Sequence, residues 1–301
     1  MPHPMMTEAE HPISPSDAQG RIGVIAGGGA LATAIVNTLA RQGLDPFVVV
    51  FEDEGHEASD FSAVEHLMLP LEDAPAIPAR LKRAGVTKLV LAGHIGRRPK
   101  LSKVRWGLAT LAFIPHIAAA FKRGDDGLLR TIISLFEKAG ITVVGAHEVV
   151  PNLLAPEGIL THVGPTGTDR KDVEAASQAA LAIGALDIGQ GAVAVGGRAI
   201  ALEGIEGTDG LLARTVDLRG HGRLAGKERG VLVKRCKPQQ DMRADLPAIG
   251  PETIRGAHAA GLVGVAVDAR RSFILDFDQT IALADEHGMF VIGLGNSGTG
   301  R

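Results

Sequence analysis

The sequence predicts an α/β protein of two domains, a parallel-sheet domain followed by a mixed α/β one, and three observations carry that prediction. Short apolar runs alternate with segments of helical spacing through the first 150 residues. A triple glycine follows the first of those runs. A crowd of prolines and glycines then separates this half from a second, richer in short strands.

Ile22 to Ala26 is an apolar run that leads into Gly27-Gly28-Gly29, after which Leu31, Ile35, Val36 and Leu39 recur at helical spacing. The reading is strand, glycine turn, helix. Phe47 to Phe51 is a second strand, Pro78 to Ala84 belongs to a helical segment, and Lys88 to Ala92 is a strand that runs into Gly93. A helix over Gly127 to Ala139 and a strand over Ile141 to Val144 follow. Strands that are apolar throughout and alternate with helices call for a parallel sheet covered on both faces. The expected domain is Rossmann-like, contacts a nucleotide, and spans residues 21–150 behind a loose tail at 1–20.

Pro151, Pro156, Gly158, Gly164, Pro165 and Gly167 mark residues 151–166 as a linker, because such a density of breakers suits neither sheet. The second domain, residues 167–301, opens with a helix reaching Gly184 and capped by Thr168 or Asp169. Ala192 to Val195 and Ala199 to Leu202 flank Gly196-Gly197. A primed two-residue turn needs positive φ, so this is predicted as a β-hairpin. Further strands are predicted at Gly230 to Lys234, Leu262 to Asp268, Phe273 to Leu275 and Phe290 to Leu294.

A chain of 301 residues can bury two cores, and its 45% hydrophobic and 22% charged content excludes a disordered or fibrous protein. With a net charge of −3, one Trp and no Tyr, it has neither a basic field nor stacking platforms, so nucleic acid is not an expected partner. The single cysteine, Cys236, cannot close an intramolecular disulfide, and residues 1–20 lack an apolar h-region. The apolar run Trp106 to Phe121 is broken by Pro115 and His116 and is shorter than the ~20 residues that span a bilayer. A cytoplasmic protein is the expectation.

Several segments could carry chemistry. The glycine turn offers amides at a helix start to an anion, and Gly27, Gly29 and Ala32 fit a loose G-x-G-x-x-A pattern, with Glu52 placed to receive a ribose hydroxyl. A tight turn without a ligand explains the same glycines. Lys122 and Arg123 precede Asp125 and Asp126, which either contact a nucleotide or cap a helix. Gly93-His94 ends a strand where open α/β sheets bind ligands. Gln190-Gly191 and the turn Glu206-Gly207-Thr208-Asp209 flank the hairpin, the two acids facing a metal or capping a helix. Lys234, Lys237, Gln240, Asp241, Arg243 and Asp245 interleave cations with acids. Pyrophosphate hydrolysis needs such oxygen ligands and positive charge, although an exposed charged loop has the same composition.

These segments read, in order, IGVIAGGGAL, AGHIGRRP, KRGDDGLLR, GAHEVVP, DIGQGAVAV, EGTDGLLAR and VLVKRCKPQQDMRADLPAIGPETI. Between residues 21 and 295 the chain thereby resembles the LpxI family of UDP-2,3-diacylglucosamine pyrophosphatases. The resemblance implies magnesium-dependent hydrolysis of UDP-2,3-diacylglucosamine to UMP and 2,3-diacylglucosamine 1-phosphate (lipid X), in lipid A synthesis at the cytoplasmic side. It implies that Asp245, before Leu246-Pro247, is the catalytic, metal-associated aspartate, with Asp241 as a second ligand. It also implies a binding region between the domains, drawing on Gly28, Gly29, Ala30, Gly93, His94, Lys122, Asp125, Asp126, Gln190, Gly191, Glu206, Thr208, Asp209, Lys237 and Arg243. A homodimer and transient contact with the inner-membrane surface are further expectations from the family. One departure is Leu31-Ala32 where the family often has Leu-Pro, a change to helix-start rigidity rather than chemistry.

Trp106 to Phe121, with Leu108, Leu111, Phe113 and Ile114, either lines a groove for the acyl chains or forms a core helix. Two rival classes stand beside the hydrolase. One is an NAD(P)-dependent oxidoreductase, on the strength of the glycine turn and Glu52. The other is a nucleotide-sugar or lipid-binding module without catalysis.

Overall fold

The computed structural model describes residues 20–52, 54–97, 99, 104, 125–224, 226–238, 241–243 and 246–295, with Asp125 and Asp126 by backbone alone. These residues fall into two compact units. The first takes in the chain before residue 108 together with Phe136–Pro151, and the second takes in residues 108–135 and those from Asn152 on.

In the first unit, β1 (Arg21–Ala26), β2 (Phe47–Phe51), β3 (His66–Leu69), β4 (Val86–Ala92) and β5 (Thr142–Val143) form one sheet in the order β3-β2-β1-β4-β5. Every pairing is parallel. All five residues of β2, Phe-Val-Val-Val-Phe, are buried, as a central strand covered on both faces requires. Helix α1 (Ala30–Arg41) buries Ala32, Ile35, Val36 and Leu39, an i, i+3, i+4, i+7 stripe that faces the core. The strand order makes the unit Rossmann-like. From β1 the chain builds outward to β3 and then returns to β4 on the other side, so its direction reverses between the carboxyl ends of β1 and β4. Strand β3 was not foreseen from sequence. His-Leu-Met-Leu has no β-branched residue, and at the sheet edge three of its four positions are only half-buried.

The second unit holds a six-stranded sheet in the order β6-β13-β11-β9-β7-β8. Its strands are β6 (Gly158–Ile159), β7 (Gly191–Ala194), β8 (Ala199–Leu202), β9 (Val231–Lys234), β11 (Gly264–Asp268) and β13 (Phe290–Leu294). Strands β9, β11 and β13 are mutually parallel, while β6, β7 and β8 pair antiparallel with their neighbours. The sheet is therefore mixed. Strand β6 rises from the breaker-rich stretch and pairs with β13, so that stretch contributes an edge strand as well as a connection. A separate parallel pair joins β10 (Ala248–Ile249) to β12 (Phe273–Ile274).

Period-two alternation sorts this sheet's side chains between two covers. Val193, Leu232, Val265, Val267 and Val291 pack on one face with Leu211, Leu212 and Ile254. Ala192, Ala194, Val231, Val233 and Ala266 form the other face, against Val173, Ala176 and Ala180 of the helix Gly167–Ala185. Small residues on both sides of that second contact let the helix lie close to the strands. The hairpin forms as its glycines predict, with φ of 63° at Gly196 and 77° at Gly197. Three helices absent from the sequence reading, Gly207–Leu218, Pro251–Ala259 and Phe277–Glu286, complete this unit's cover.

The helix Gly167–Ala185 begins one step earlier than predicted. Thr166 is the N-cap, its Oγ1 accepting from the Asp169 amide, while Asp169 reaches back to the Thr166 amide at 2.8 Å. Asp169 thus closes a capping box from the third helical position. The same carboxylate receives Arg229 Nε at 2.9 Å and Nη2 at 2.7 Å. Burial alone would raise the Asp169 carboxyl, but the bonds from Arg229 and Thr166 outweigh it and hold the group below the usual carboxylate range. A depressed folded-state value means the stabilisation is complete above the unfolded pKa of about 4 and is lost as pH falls through the folded value. Asp169→Asn is therefore expected to destabilise the protein at pH 7, with the gap to wild type closing as urea denaturation is repeated below about pH 4. Thr166→Ala should cost about 1 kcal/mol in the same measurement.

Candidate functional site

At the direction reversal of the first unit, the loops after β1 and β4 are laced together by their backbones. The Gly27 amide donates to Ala92 O at 2.7 Å, Gly28 donates to His94 O at 2.7 Å, and His94 returns a bond to Gly28 O at 3.2 Å. Only glycine permits this approach. A Cβ at Gly27 would lie 2.4 Å from His94 O, and one at Gly93, whose φ is +85°, would lie 2.5 Å from Gly28 O. The triple glycine therefore serves packing first: Gly27 and Gly28 are buried and their amides are engaged. Gly29 and Ala30, which open α1, are exposed, with the His94 ring beside Gly28 and Gly29.

Two side chains that sequence reasoning missed complete this corner. His56 reaches Gly27 O with Nε2 at 2.9 Å and packs edge-on against Phe61. Glu54, only 8% exposed, accepts the Gly96 amide at 2.7 Å through Oε2, while its Oε1 is buried without a partner. Glu52, the acid singled out from sequence, is instead exposed, and its amide is spent on Leu69 O. Strand β2 ends at Phe51, so the chain turns before the following acid can fold back over the sheet end.

In the second unit, the polar groups gather where β9 and β11 end and β7 begins. Gly191 pairs with Lys234 across the sheet. Lys234 is buried and donates from Nζ to Ala248 O at 3.0 Å, which brings the chain just after Leu246-Pro247 against the end of β9. Arg235 pairs with Asp268 at 2.7 Å and donates to Ser177 Oγ, and Asp268 also accepts the Cys236 amide at 2.7 Å. Lys237 is bound to Asp187 at 2.6 Å. The charged stretch predicted after residue 234 is thus pinned at its start to the strand ends.

Glu203 organises the two glycine-spaced turns beside the hairpin. Its Oε2 accepts the Gln190 amide at 2.9 Å, its Oε1 accepts the Thr208 hydroxyl at 2.8 Å, and its own amide donates to Gly191 O. The glycines around Gln190 follow from this. A Cβ at Gly189 would sit 2.3 Å from Glu203 O, and one at Gly191 would lie 3.0 Å from its carboxylate. Gln190 Oε1 is left buried and without a partner. Glu206 occupies the N-cap position of the helix Gly207–Leu218 without capping through its side chain, and it pairs with Arg214. Asp209 is exposed in that helix's first turn.

Asp241 is held by Arg243, whose Nε and Nη2 bond its two oxygens at 3.0 and 2.8 Å. Those bonds keep the Asp241 carboxyl below its ordinary range against the opposing effect of burial. Asp245 and Lys122 lie outside the described residues, as does almost all of Trp106 to Phe121; of Asp125 and Asp126 only the backbone is described, where they open the helix Asp125–Lys138. Among the described residues no three His, Cys, Asp or Glu converge on one point as a metal cage. Magnesium does not demand such a cage, because one or two carboxylates with waters and substrate phosphates satisfy it. An ionised, half-buried Asp241 fits that ligand class.

The fold and these sites define an α/β protein with a Rossmann-like first unit, whose ligand-facing groups sit at the carboxyl ends of parallel strands. Two family profiles match it, the LpxI N-terminal domain over residues 21–153 and the LpxI C-terminal domain over residues 156–292. The chain belongs to the LpxI family. The UDP-2,3-diacylglucosamine pyrophosphatase LpxI of Caulobacter vibrioides is 36% identical over 279 residues, covering 91% of this chain and 97% of its own. Among solved structures, CobK precorrin-6A reductase covers 93% of this chain and 90% of its own, at 12% identity and a TM-score of 0.34. The UDP-glucose 4-epimerase of Thermus thermophilus covers 92% and 85%, at 13% identity and a TM-score of 0.28. Both likenesses are too distant to bear on this chain. No helix among the described residues is long and apolar enough to cross a membrane.

Gly93→Ala should destabilise the protein by about 2 kcal/mol or more, through a strained φ and collision with Gly28 O. Glu203→Ala leaves both the Gln190 amide and the Thr208 hydroxyl without acceptors and should also cost about 2 kcal/mol, with Glu203→Gln recovering part of it. Urea denaturation measures each.

Proposed function

We propose that this chain hydrolyses the diphosphate of UDP-2,3-diacylglucosamine, with magnesium, to UMP and 2,3-diacylglucosamine 1-phosphate (lipid X) in lipid A synthesis. The observation that carries the reading is the relative of that specificity, similar over nearly the whole length of both chains. Agreement through both family domains supports it, since a shared glycine turn alone would extend over the first unit only.

Water adds across the P–O–P bridge: a new P–O bond forms, the bridging bond breaks, and the departing phosphate keeps the bridging oxygen while the water's proton is released. That reaction places negative charge on the leaving phosphate, so the protein's task is to hold the diphosphate and neutralise it. The amides at the start of α1, at Gly29 and Ala30, offer their dipoles to one phosphate. Lys237 and Arg243 add positive charge, each steadied by an aspartate in the structure. In this reading Asp245 and Asp241 hold magnesium, Asp241 being kept ionised as a ligand to a hard cation must be. When bound, magnesium supplies Lewis acidity and charge against the diphosphate oxygens. Gln190, through the buried oxygen of its amide, and Thr208 serve as hydrogen-bonding groups for the substrate. Work at the cytoplasmic face of the inner membrane, and a homodimer, belong to the same proposal.

Purified protein with UDP-2,3-diacylglucosamine and magnesium is expected to release UMP, and excess chelator to stop the release. Asp245→Ala should reduce turnover by at least about a thousandfold, the scale on which loss of a charge-stabilising group acts, while substrate binding persists. Tight NAD binding without UMP release, or full turnover by Asp245→Ala, defeats the proposal.

A further inference from the structure

Glu54 is a carboxylate with half of its capacity unused. It lies three residues past the end of β2, and Oε2 is committed to the Gly96 amide in the loop after β4. Oε1 is buried and has no hydrogen-bond partner. Its backbone oxygen lies 3.0 Å from the Cβ position of Gly28, and the His94 ring lies equally near that position. The acid therefore lodges between the two loops that meet at the direction reversal of the sheet, beside the glycine turn. A buried carboxylate oxygen without a donor carries a desolvation cost that a ligand's donor group would remove.

The chemistry of the oxygen selects the ligand group. A phosphate is repelled by like charge. Uracil offers its single N–H between two carbonyl oxygens, which a carboxylate also repels. The vicinal hydroxyls of a ribose are neutral donors, and a carboxylate with one oxygen already engaged can still accept from them. The first turn of α1 contains no acidic residue, so its exposed amides at Gly29 and Ala30 suit the anionic end of the same nucleotide. Phosphate and ribose are thereby sorted to two ends of one corner. An acid after the second strand takes ribose hydroxyls in dinucleotide-binding Rossmann sites, so the placement is physically workable.

We infer that Glu54 accepts the ribose 2′-hydroxyl of the uridine nucleotide, an assignment that rests on the hydrolase reading and supplies it with a nucleotide-specificity residue. The test is titration calorimetry of the full chain with UMP and with 2′-deoxyUMP. Wild type should bind UMP at least about tenfold more tightly than 2′-deoxyUMP, as loss of one hydrogen bond to a charged group predicts. Glu54→Gln keeps an acceptor for the Gly96 amide and should narrow that ratio several-fold, and Glu54→Ala should bring it near one. Each ratio is taken within one folded protein, so a change in stability does not imitate the result. Equal binding of the two nucleotides by wild type, no binding of UMP, or an undiminished ratio in Glu54→Gln overturns the inference. Failure of the hydrolase reading is separate: it would show as no UMP released from the lipid nucleotide, with the ribose discrimination intact.

Discussion

The central strands of both sheets are buried along their length, and that burial dictates where anything else can happen. A strand such as Phe47–Phe51 or Gly264–Asp268 has no face open to water, so a ligand can meet the sheet only at the ends of its strands. The backbone groups that emerge there still need partners. In the first unit the loops after β1 and β4 satisfy one another, which demands glycine at positions 27 and 93 and leaves the start of α1 facing outward. In the second unit Lys234, Arg235 and Asp268 perform the corresponding task with side chains, tying the strand ends to the segment that follows Leu246-Pro247.

Three buried carboxylates show how partner count separates a structural acid from a ligand-facing one. Asp169 has donors on both oxygens from its own helix start and from Arg229, and is fully spent. Glu203 is also spent, but on Gln190 and Thr208, so it fixes the geometry of two turns without itself offering an acceptor. Glu54 has a donor on one oxygen only. The three are alike in burial, and only the donors around them differ. Charge-assisted hydrogen bonds are strong enough that an unmade one beside a glycine turn is a chemical feature of the site.

The α/β class and most elements were legible in the sequence because their signals are local. Apolar runs of strand length, a helical stripe after the glycines and a Gly-Gly hairpin turn each act within a few residues, and each formed as its chemistry demands. The edge strand His66–Leu69 was not legible, since half-burial at an edge removes the need for β-branched or alternating residues. The cap of the helix Gly167–Ala185 was read two or three residues late, because Thr166, Thr168 and Asp169 are all competent caps and only the packed helix selects among them.

The sequence by itself determined the family, through seven ordered motifs, and the α/β layering, through hydrophobic periodicity. Which acid stands beside the glycine turn was decided only in three dimensions. Glu52 and Glu54 are chemically equivalent in the chain, yet the turn after Phe51 leaves the first in water and carries the second beneath the β4 loop to Gly96. Roles of this kind depend on donors supplied from distant segments. Sequence spacing does not encode them, because a hydrogen bond requires a partner within about 3 Å regardless of how many residues lie between.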